Sequence, residues 1–322
     1  MREYSEKMQK IASDALEKKE VSLVIGWRKK DFWWQSPVAF VDDAAQARQL
    51  VWDPFTVNNP IKYLLDQDCH EKTGVFVKGC DSRGINRLLQ DRRLERDRVV
   101  LYGVPCDGKV DAAKLKKAFP GQKIKQVAAA GDQLSVTVDG GDESVPAKEY
   151  LLDKCQSCRY PNPVVYDRLA WEEVAPRQVS EESRFSRVAD LEQIDVDERF
   201  AYWSRQFERC IRCFACRNVC PACNCVTCIF DQAEPRWLGK ASDMGDTLNY
   251  QMIRAFHVAG RCFECGECER ICPAGIPLLD LHRKIIKDLN GYYGEYDAGL
   301  NPEDNPPLGI YRGEDPAGFD ES

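Results

Sequence analysis

The strongest constraint on this chain is a phrase of cysteines that it contains twice. Cys210-Ile-Arg-Cys213-Phe-Ala-Cys216-Arg-Asn-Val-Cys220-Pro221 and Cys262-Phe-Glu-Cys265-Gly-Glu-Cys268-Glu-Arg-Ile-Cys272-Pro273 share the spacing Cys-x2-Cys-x2-Cys-x3-Cys-Pro. Three thiolates so close together wrap one face of a 4Fe–4S cube and cannot reach round it. In two-cluster chains with this spacing the fourth cysteine therefore serves the other cube. By that rule one cube takes Cys210, Cys213, Cys216 and Cys272, and the other takes Cys262, Cys265, Cys268 and Cys220. Paired Cys-x2-Cys also makes zinc sites. Zinc, however, has no use for a third cysteine and a proline at the same place in both copies.

The remaining composition agrees with a soluble redox protein. The 322 residues suffice for two domains, with 43% hydrophobic and 30% charged residues. No apolar run approaches the roughly 20 residues of a membrane-spanning helix. The start, Met1-Arg-Glu-Tyr-Ser-Glu-Lys-Met8, lacks the apolar core of a signal peptide, so a cytoplasmic location is expected. Thiols stay reduced there, and the 16 cysteines are read as metal ligands suited to anaerobic metabolism. The net charge of −7 lies in residues 291–322, where eight acids meet one base, Arg312; the body is balanced. No basic face stands out, so no nucleic-acid partner is expected.

Periodicity divides the chain. Residues 1–171 read as an α/β domain with a mostly parallel sheet. A charged helix over 2–19 puts Ile11, Ala15 and Leu16 on one face, and short strands follow at Val21–Gly26 and Pro37–Val41. Short helices are expected over Asp43–Leu50 and Ile61–Leu65. A β-α-β unit then runs from the strand Gly74–Val77 through a tight turn at Lys78–Arg83 and a helix over Gly84–Leu94 to the strand Val99–Gly103. A helix over Ala112–Phe119 precedes a hairpin around Gly131-Asp132. Residues 172–199 are acidic and weakly patterned, and read as a linker. Residues 200–290 read as an all-α dicluster 4Fe–4S ferredoxin-like domain, because the 41 residues between the two runs carry a helix, Thr247–Ala259, with Leu248, Met252, Phe256 and Ala259 at helical spacing. An amphipathic helix over Leu278–Leu289 closes the domain. The tail, 291–322, reads as extended, ordering on a partner surface.

A second constellation lies in the first domain. Cys80 and Cys106 both follow the C-terminal ends of strands, the edge where ligands bind in open parallel sheets. With Cys155-x-x-Cys158 they count four, the right number for one cube or one zinc; two buried core cysteines are the plainer alternative. Cys223-Asn-Cys225-Val-Thr-Cys228 is a remainder without a fourth ligand. It is read as a further centre completed by Cys69 or a partner's residue, or as a replacement for Cys220. His70 reads as a surface residue, and His257 and His282 as packing or surface residues. Arg212, Arg217, Arg261 and Arg270, within or beside the runs, either offset cluster charge or are solvated. There is no Gly-x-Gly-x-x-Gly, no Walker loop and no visible catalytic set.

Val77-Lys-Gly-Cys80-Asp-Ser-Arg83, Tyr102-Gly-Val-Pro-Cys106 and Cys155-x-x-Cys158 with Pro161-Asn-Pro163 resemble the deazaflavin-dependent hydrogenase and dehydrogenase beta-subunit family. The match is closest to its short bacterial relatives associated with heterodisulfide reductase, which share phrases such as Leu50-Val-Trp-Asp-Pro-Phe55. The second half resembles the helical dicluster module of heterodisulfide reductase and succinate dehydrogenase iron–sulfur subunits. The resemblance covers roughly residues 5–290. It implies electron relay through two or three 4Fe–4S clusters in a soluble multi-subunit oxidoreductase complex. Its partners would be flavin or iron–sulfur subunits or a dehydrogenase. It supports a third cluster at Cys80, Cys106, Cys155 and Cys158. It also implies the alternative of a FAD-containing subunit that reacts with a nicotinamide or deazaflavin, although the flavin-contacting stretch is not found here.

Overall fold

Two adjacent strands with every residue buried, Thr73–Val77 (β3) and Val99–Gly103 (β4), form the centre of the N-terminal unit. Such uninterrupted burial belongs to a parallel sheet covered on both faces. The computed structural model describes residues 2–65, 72–239, 243–311, 313 and 315. These fall into two units, Met1–Ile85 with Leu94–Val179, and Asn86–Arg93 with Ser180–Ser322.

In the first unit, α1 (Arg2–Glu17) leads into β1 (Leu23–Trp27) and β2 (Val38–Val41). The sheet order is β2-β1-β3-β4-β8, where β8 is Arg168–Leu169. Only the β1–β2 pair is antiparallel, in agreement with the mostly parallel sheet expected. Helix α1 buries Met8, Ala12 and Ala15, with Ile11 and Leu16 of the expected face packed partly buried against the same core. The two alanines let its backbone approach Val24, Trp27, Tyr102 and Trp171 in one core. Turns of 3₁₀ helix occupy Ala44–Gln49 and Ile61–Leu65. A second core lies under α3 (Ala112–Ala118) and a meander, β5 (Gln126–Ala130), β6 (Gln133–Val138) and β7 (Gly141–Pro146). The hairpin over Gly131-Asp132 was legible; β7, a polar, mostly exposed edge strand, was not.

The turn expected at Lys78–Arg83 is already helix. Helix α2 runs Gly79–Gln90 because Asp81, three residues past Lys78, turns back to accept from the Lys78 backbone N–H at 3.0 Å. That reciprocal cap satisfies a donor otherwise stranded at the helix start. Asp81 also forms a buried ion pair with Lys78 Nζ at 2.8 Å. Cys80 therefore sits in the first turn of a helix, and α4 (Asp153–Gln156) carries Cys155.

In the second unit, residues placed in the 172–199 linker are helical: α5 (Glu181–Arg184), α6 (Ser186–Gln193) and the start of α7 (Val196–Glu208). Arg184 is buried and pairs with Asp297 at 2.6 Å and with Glu264. Phe185 and Val188 pack with Ile286, so charge pairing joins a short apolar contact there. Single turns α8 (Ala215–Asn218) and α10 (Glu267–Arg270) follow the cysteine loops, with α9 (Met244–His257) between them and α11 (Leu278–Tyr293) after. The tail is not simply extended. Asn86 Nδ2 donates to the carbonyls of Gly299 and Leu300, and Gln90 Nε2 to those of Asn301 and Asp304, at 2.9–3.0 Å. Among the described residues no helix is long and apolar enough to cross a membrane.

Gly79 is the tightest point of the first unit: a Cβ there would sit 1.9 Å from the Tyr160 carbonyl oxygen and 2.9 Å from that of Asn162. Backbone cannot yield as a side-chain tip does. Gly79→Ala is expected to destabilise the N-terminal unit by about 1–3 kcal/mol, read as a lowered unfolding midpoint by tryptophan fluorescence; an unchanged midpoint would contradict the packing.

Candidate metal centres

The two cysteine runs fold alike. Arg212 and Glu264 at the second x of each Cys-x2-Cys, and Phe214 and Gly266 after the second cysteine, all have positive φ, 47°, 56°, 57° and 63°. A left-handed conformation costs a non-glycine residue about 1–2 kcal/mol. Three of the five described non-glycine residues with positive φ lie in these loops. The strain curls each run so that backbone N–H groups turn inward, a concavity that suits anions. Arg212 N–H donates to Cys210 Sγ at 3.4 Å, and the Glu264 N–H does the same for Cys262. The one-turn helices α8 and α10 then carry Cys216 and Cys268 inward, where both are buried.

The first recess is lined by Cys210, Cys213, Cys216 and Cys272, together with Tyr250, Gln251 and Pro273. The four cysteines paired by the crossed rule thus share one cavity, across 56 residues of sequence from Cys216 to Cys272. For the second set, the thiols of Cys220 and Cys262 act on Cys268 and that of Cys220 acts on Cys262; Cys265 is buried. Burial pushes the Cys262 thiol up to about 12 and raises Cys268 as well. Cys220 moves the other way: Cys223 donates to it, and the Ala222 and Cys223 N–H groups with the charge of Arg254 favour its thiolate.

In the N-terminal unit, Cys80, Cys106, Cys155 and Cys158 line one recess of about 430 Å³ including its open mouth. Lys78, Lys109, Lys154 and Arg177 share its wall. Lys109 N–H donates to Cys155 Sγ at 3.4 Å. Burial lowers the Lys109 ammonium to about 8, with its Nζ 3.3 Å from the centre of the Trp52 ring. Burial raises Cys158 to about 11 and Cys155 above its ordinary value. Arg177 spans from the Cys155 carbonyl, at 2.5 Å, to that of Asp107 and braces the rim.

Four cysteines line each of two recesses, the number that one cube or one zinc ion takes. A cavity whose walls are thiols, inward N–H groups and buried cations suits a large anion. The orphaned donors agree: Arg254 Nε and Nη1 are buried with no hydrogen-bond partner, and the charges acting on that guanidinium are the thiols of Cys268, Cys216, Cys220 and Cys223.

Other cysteines and bases are placed less suggestively. Cys225 is exposed, Cys228 lies beside Arg217, and Cys69 and His70 lie outside the described residues. Arg217, Arg261 and Arg270 pair with Asp231, Asp91 and Glu267 at 2.6–2.9 Å, and Arg212 approaches Asp246 at 3.6 Å. They are not spare charge for a cluster. The side chains that do face the cysteines, Tyr250, Gln251 and Arg254 on α9, were missed. Sequence periodicity assigned the inward face to Leu248, Met252 and Phe256, but Phe256 is 60% exposed, while Thr247, Tyr250, Gln251 and Arg254 are buried. Polar residues at helical spacing between two cysteine runs were the available signal.

Comparison with known proteins agrees with the repeated run. Residues 206–276 match the family described as "4Fe-4S dicluster domain". The chain is 25% identical to the F420-dependent formate dehydrogenase subunit beta of Methanocaldococcus jannaschii, over 75% of this chain and 77% of that protein. It is 27% identical to the F420-dependent formate dehydrogenase 1 subunit beta of Methanococcus maripaludis, over 77% of each. Among solved structures, a chain of the F420-reducing NiFe hydrogenase complex from Methanosarcina barkeri aligns with a TM-score of 0.39 at 17% identity, covering 50% of this chain and 63% of that one.

Gln251 Nε2 donates to Cys210 Sγ at 3.3 Å, and Tyr250 Oη lies 3.4 Å from Cys216 Sγ, where against a thiolate it is the hydroxyl that donates. Such bonds stabilise the extra negative charge of a reduced cluster. Gln251→Leu and Tyr250→Phe should each lower the midpoint potential of the first cube, by no more than the about 1.5–3 kcal/mol of one hydrogen bond to a charged group. The second cube should keep its potential. EPR-monitored redox titration reads both at once, and an unmoved first cube would refute the assignment of these donors.

Proposed function

We propose that this chain, a 4Fe–4S dicluster protein similar along three quarters of its length to beta subunits of F420-dependent formate dehydrogenases, is an iron–sulfur electron-transfer subunit of an oxidoreductase complex. The observation that carries the reading is the repeated loop that brings Cys210, Cys213, Cys216 and Cys272 around one recess. One cube is assigned to those four residues. The second is assigned to Cys262, Cys265, Cys268 and Cys220; the thiols of Cys220, Cys262 and Cys268 act on one another, and Cys265 is buried. When bound, the cubes supply one-electron carriers. The protein's part is to fix the irons through thiolates, to exclude water by burial, and to set potentials through N–H donors and cations.

A third cube is assigned to Cys80, Cys106, Cys155 and Cys158. Its support is the shared recess, the Lys109 N–H on Cys155, and a wall in which Lys109, Lys154 and Arg177, besides the Lys78 paired with Asp81, offset the charge of a tetrathiolate cluster. The chain's partners are then a subunit that delivers electrons and one that accepts them, of the class of a formate dehydrogenase or hydrogenase. Cys213, exposed beside an Ile211 that is 67% exposed, brings the first cube nearest to such a partner. Cys223, Cys225 and Cys228 are not assigned to a further centre.

Anaerobic purification with iron, sulfide and flavin assays tests this reading. Three cubes give about twelve irons per chain and two give about eight; stoichiometric flavin would transfer the first unit to the flavoenzyme reading. Cys80→Ser should remove one EPR signal and leave the two dicluster signals, and a full set of signals would exclude Cys80 as a ligand. Cys272→Ser should perturb the cube held by Cys210, Cys213 and Cys216. A change confined to the other cube would overturn the crossed pairing.

A further inference from the structure

Helix α9 turns Thr247, Tyr250, Gln251 and Arg254 inward, and Arg254, in its last turn, is 1% exposed. Burying a guanidinium is strongly unfavourable unless other charges and hydrogen bonds compensate it. Here the compensation is odd. Nη2 of Arg254 meets Nε2 of His282 on α11 at 2.8 Å, while its Nε and Nη1 have no partner among the described residues. No carboxylate is among the leading charges that act on it. The thiols of Cys268, Cys216, Cys220 and Cys223 fill that role, and the same arginine acts in return on Cys216, Cys220, Cys262 and Cys268. Cys216 belongs to the first cage, and Cys220, Cys262 and Cys268 to the second. One buried cation therefore acts on both sets of ligands.

His282 is fully buried and held neutral by that burial and by the neighbouring guanidinium. A neutral imidazole has one acceptor nitrogen. Since Nε2 meets an arginine, which can only donate, Nε2 is the acceptor and anchors Arg254. Tyr250 and Gln251, by contrast, hydrogen-bond to sulfurs of the first run, Cys216 and Cys210.

We propose that Arg254, anchored by His282, is a charge shared by the two cubes that raises both of their reduction potentials together. The inference rests on the two-cube assignment above. Reduction of a cube by a low-potential one-electron donor adds one electron, and so one negative charge, to the cube and its four thiolates. The guanidinium keeps its proton throughout, and no bond forms or breaks at it. When an electron passes between the cubes, one loses a negative charge and the other gains it. A cation common to both therefore eases each reduction while leaving the difference between the two potentials nearly unchanged. Arg254 is in this sense a positioning residue for charge.

The test is an anaerobic EPR-monitored redox titration of the full chain, with iron and sulfide measured alongside. Arg254→Met should lower both midpoints. At a fixed ambient potential the oxidised-to-reduced ratio of each cube should rise about tenfold, equivalent to 59 mV for one electron. Arg254→Lys, which keeps the charge, should recover at least half of that shift in both cubes. If Arg254→Met moves neither cube, or only one, or if the lysine variant is no better than methionine, the proposal is overturned. Should the methionine variant fail to hold both cubes, His282→Phe is titrated in its place, since it keeps the charge and removes its anchor. A common downward shift supports the proposal, and unmoved midpoints overturn it. Wild-type protein with fewer than about eight irons would instead refute the two-cube assignment, an outcome separable from the role of Arg254.

Discussion

Negative charge that must be buried governs the C-terminal unit. Thiols taken out of water cannot rely on solvent to stabilise their anions, and desolvation raises Cys216, Cys262 and Cys268 accordingly. The chain answers with strained loops that aim N–H groups inward, with hydroxyl and amide donors from α9, and with one arginine that has no carboxylate of its own. Arg217, Arg261 and Arg270, by contrast, are tied to acids. What matters for a redox site is the cation left unneutralised.

The N-terminal unit solves a similar problem with different parts. Its four cysteines come from a helix start, a strand end and a short Cys-x2-Cys segment, and the recess is ringed by lysines in place of a single arginine. The close approach of Gly79 to the carbonyls of Tyr160 and Asn162 brings the segment after Cys158 against the turn that carries Cys80. Backbone contact of this kind fixes spacing more firmly than flexible side chains do.

Much of this was legible because two signals are local. The cysteine spacing implied crossed pairing, and the buried strands Thr73–Val77 and Val99–Gly103 announced a parallel sheet. Other features misled for identifiable reasons. Gly79-Cys-Asp-Ser82 reads as a turn because the residues that favour turns also favour helix starts, and the Asp81 cap decides between them. Residues 181–193 look like a linker because only Phe185 and Val188 pack apolarly, beside an Arg184 buried by charge pairing. On α9 periodicity equates apolar with buried, and Leu248 and Met252 do pack against the core. It is silent on polar residues, so the deeper burial of Gln251 and Arg254 was not legible.

The contacts from Asn86 and Gln90 to the carbonyls of residues 299–304 have a temporal meaning. They close loops of more than 210 residues, among the longest-range connections in the chain, and loop closure grows less favourable with length. During synthesis the C-terminal half of α2 emerges long before the carbonyls that will satisfy it. Its amides must be served by water until then. The helix that carries Cys80 at its start is thus completed at its other end only after both cysteine runs have been made, so the end of the chain acts as a late fastener on an early element.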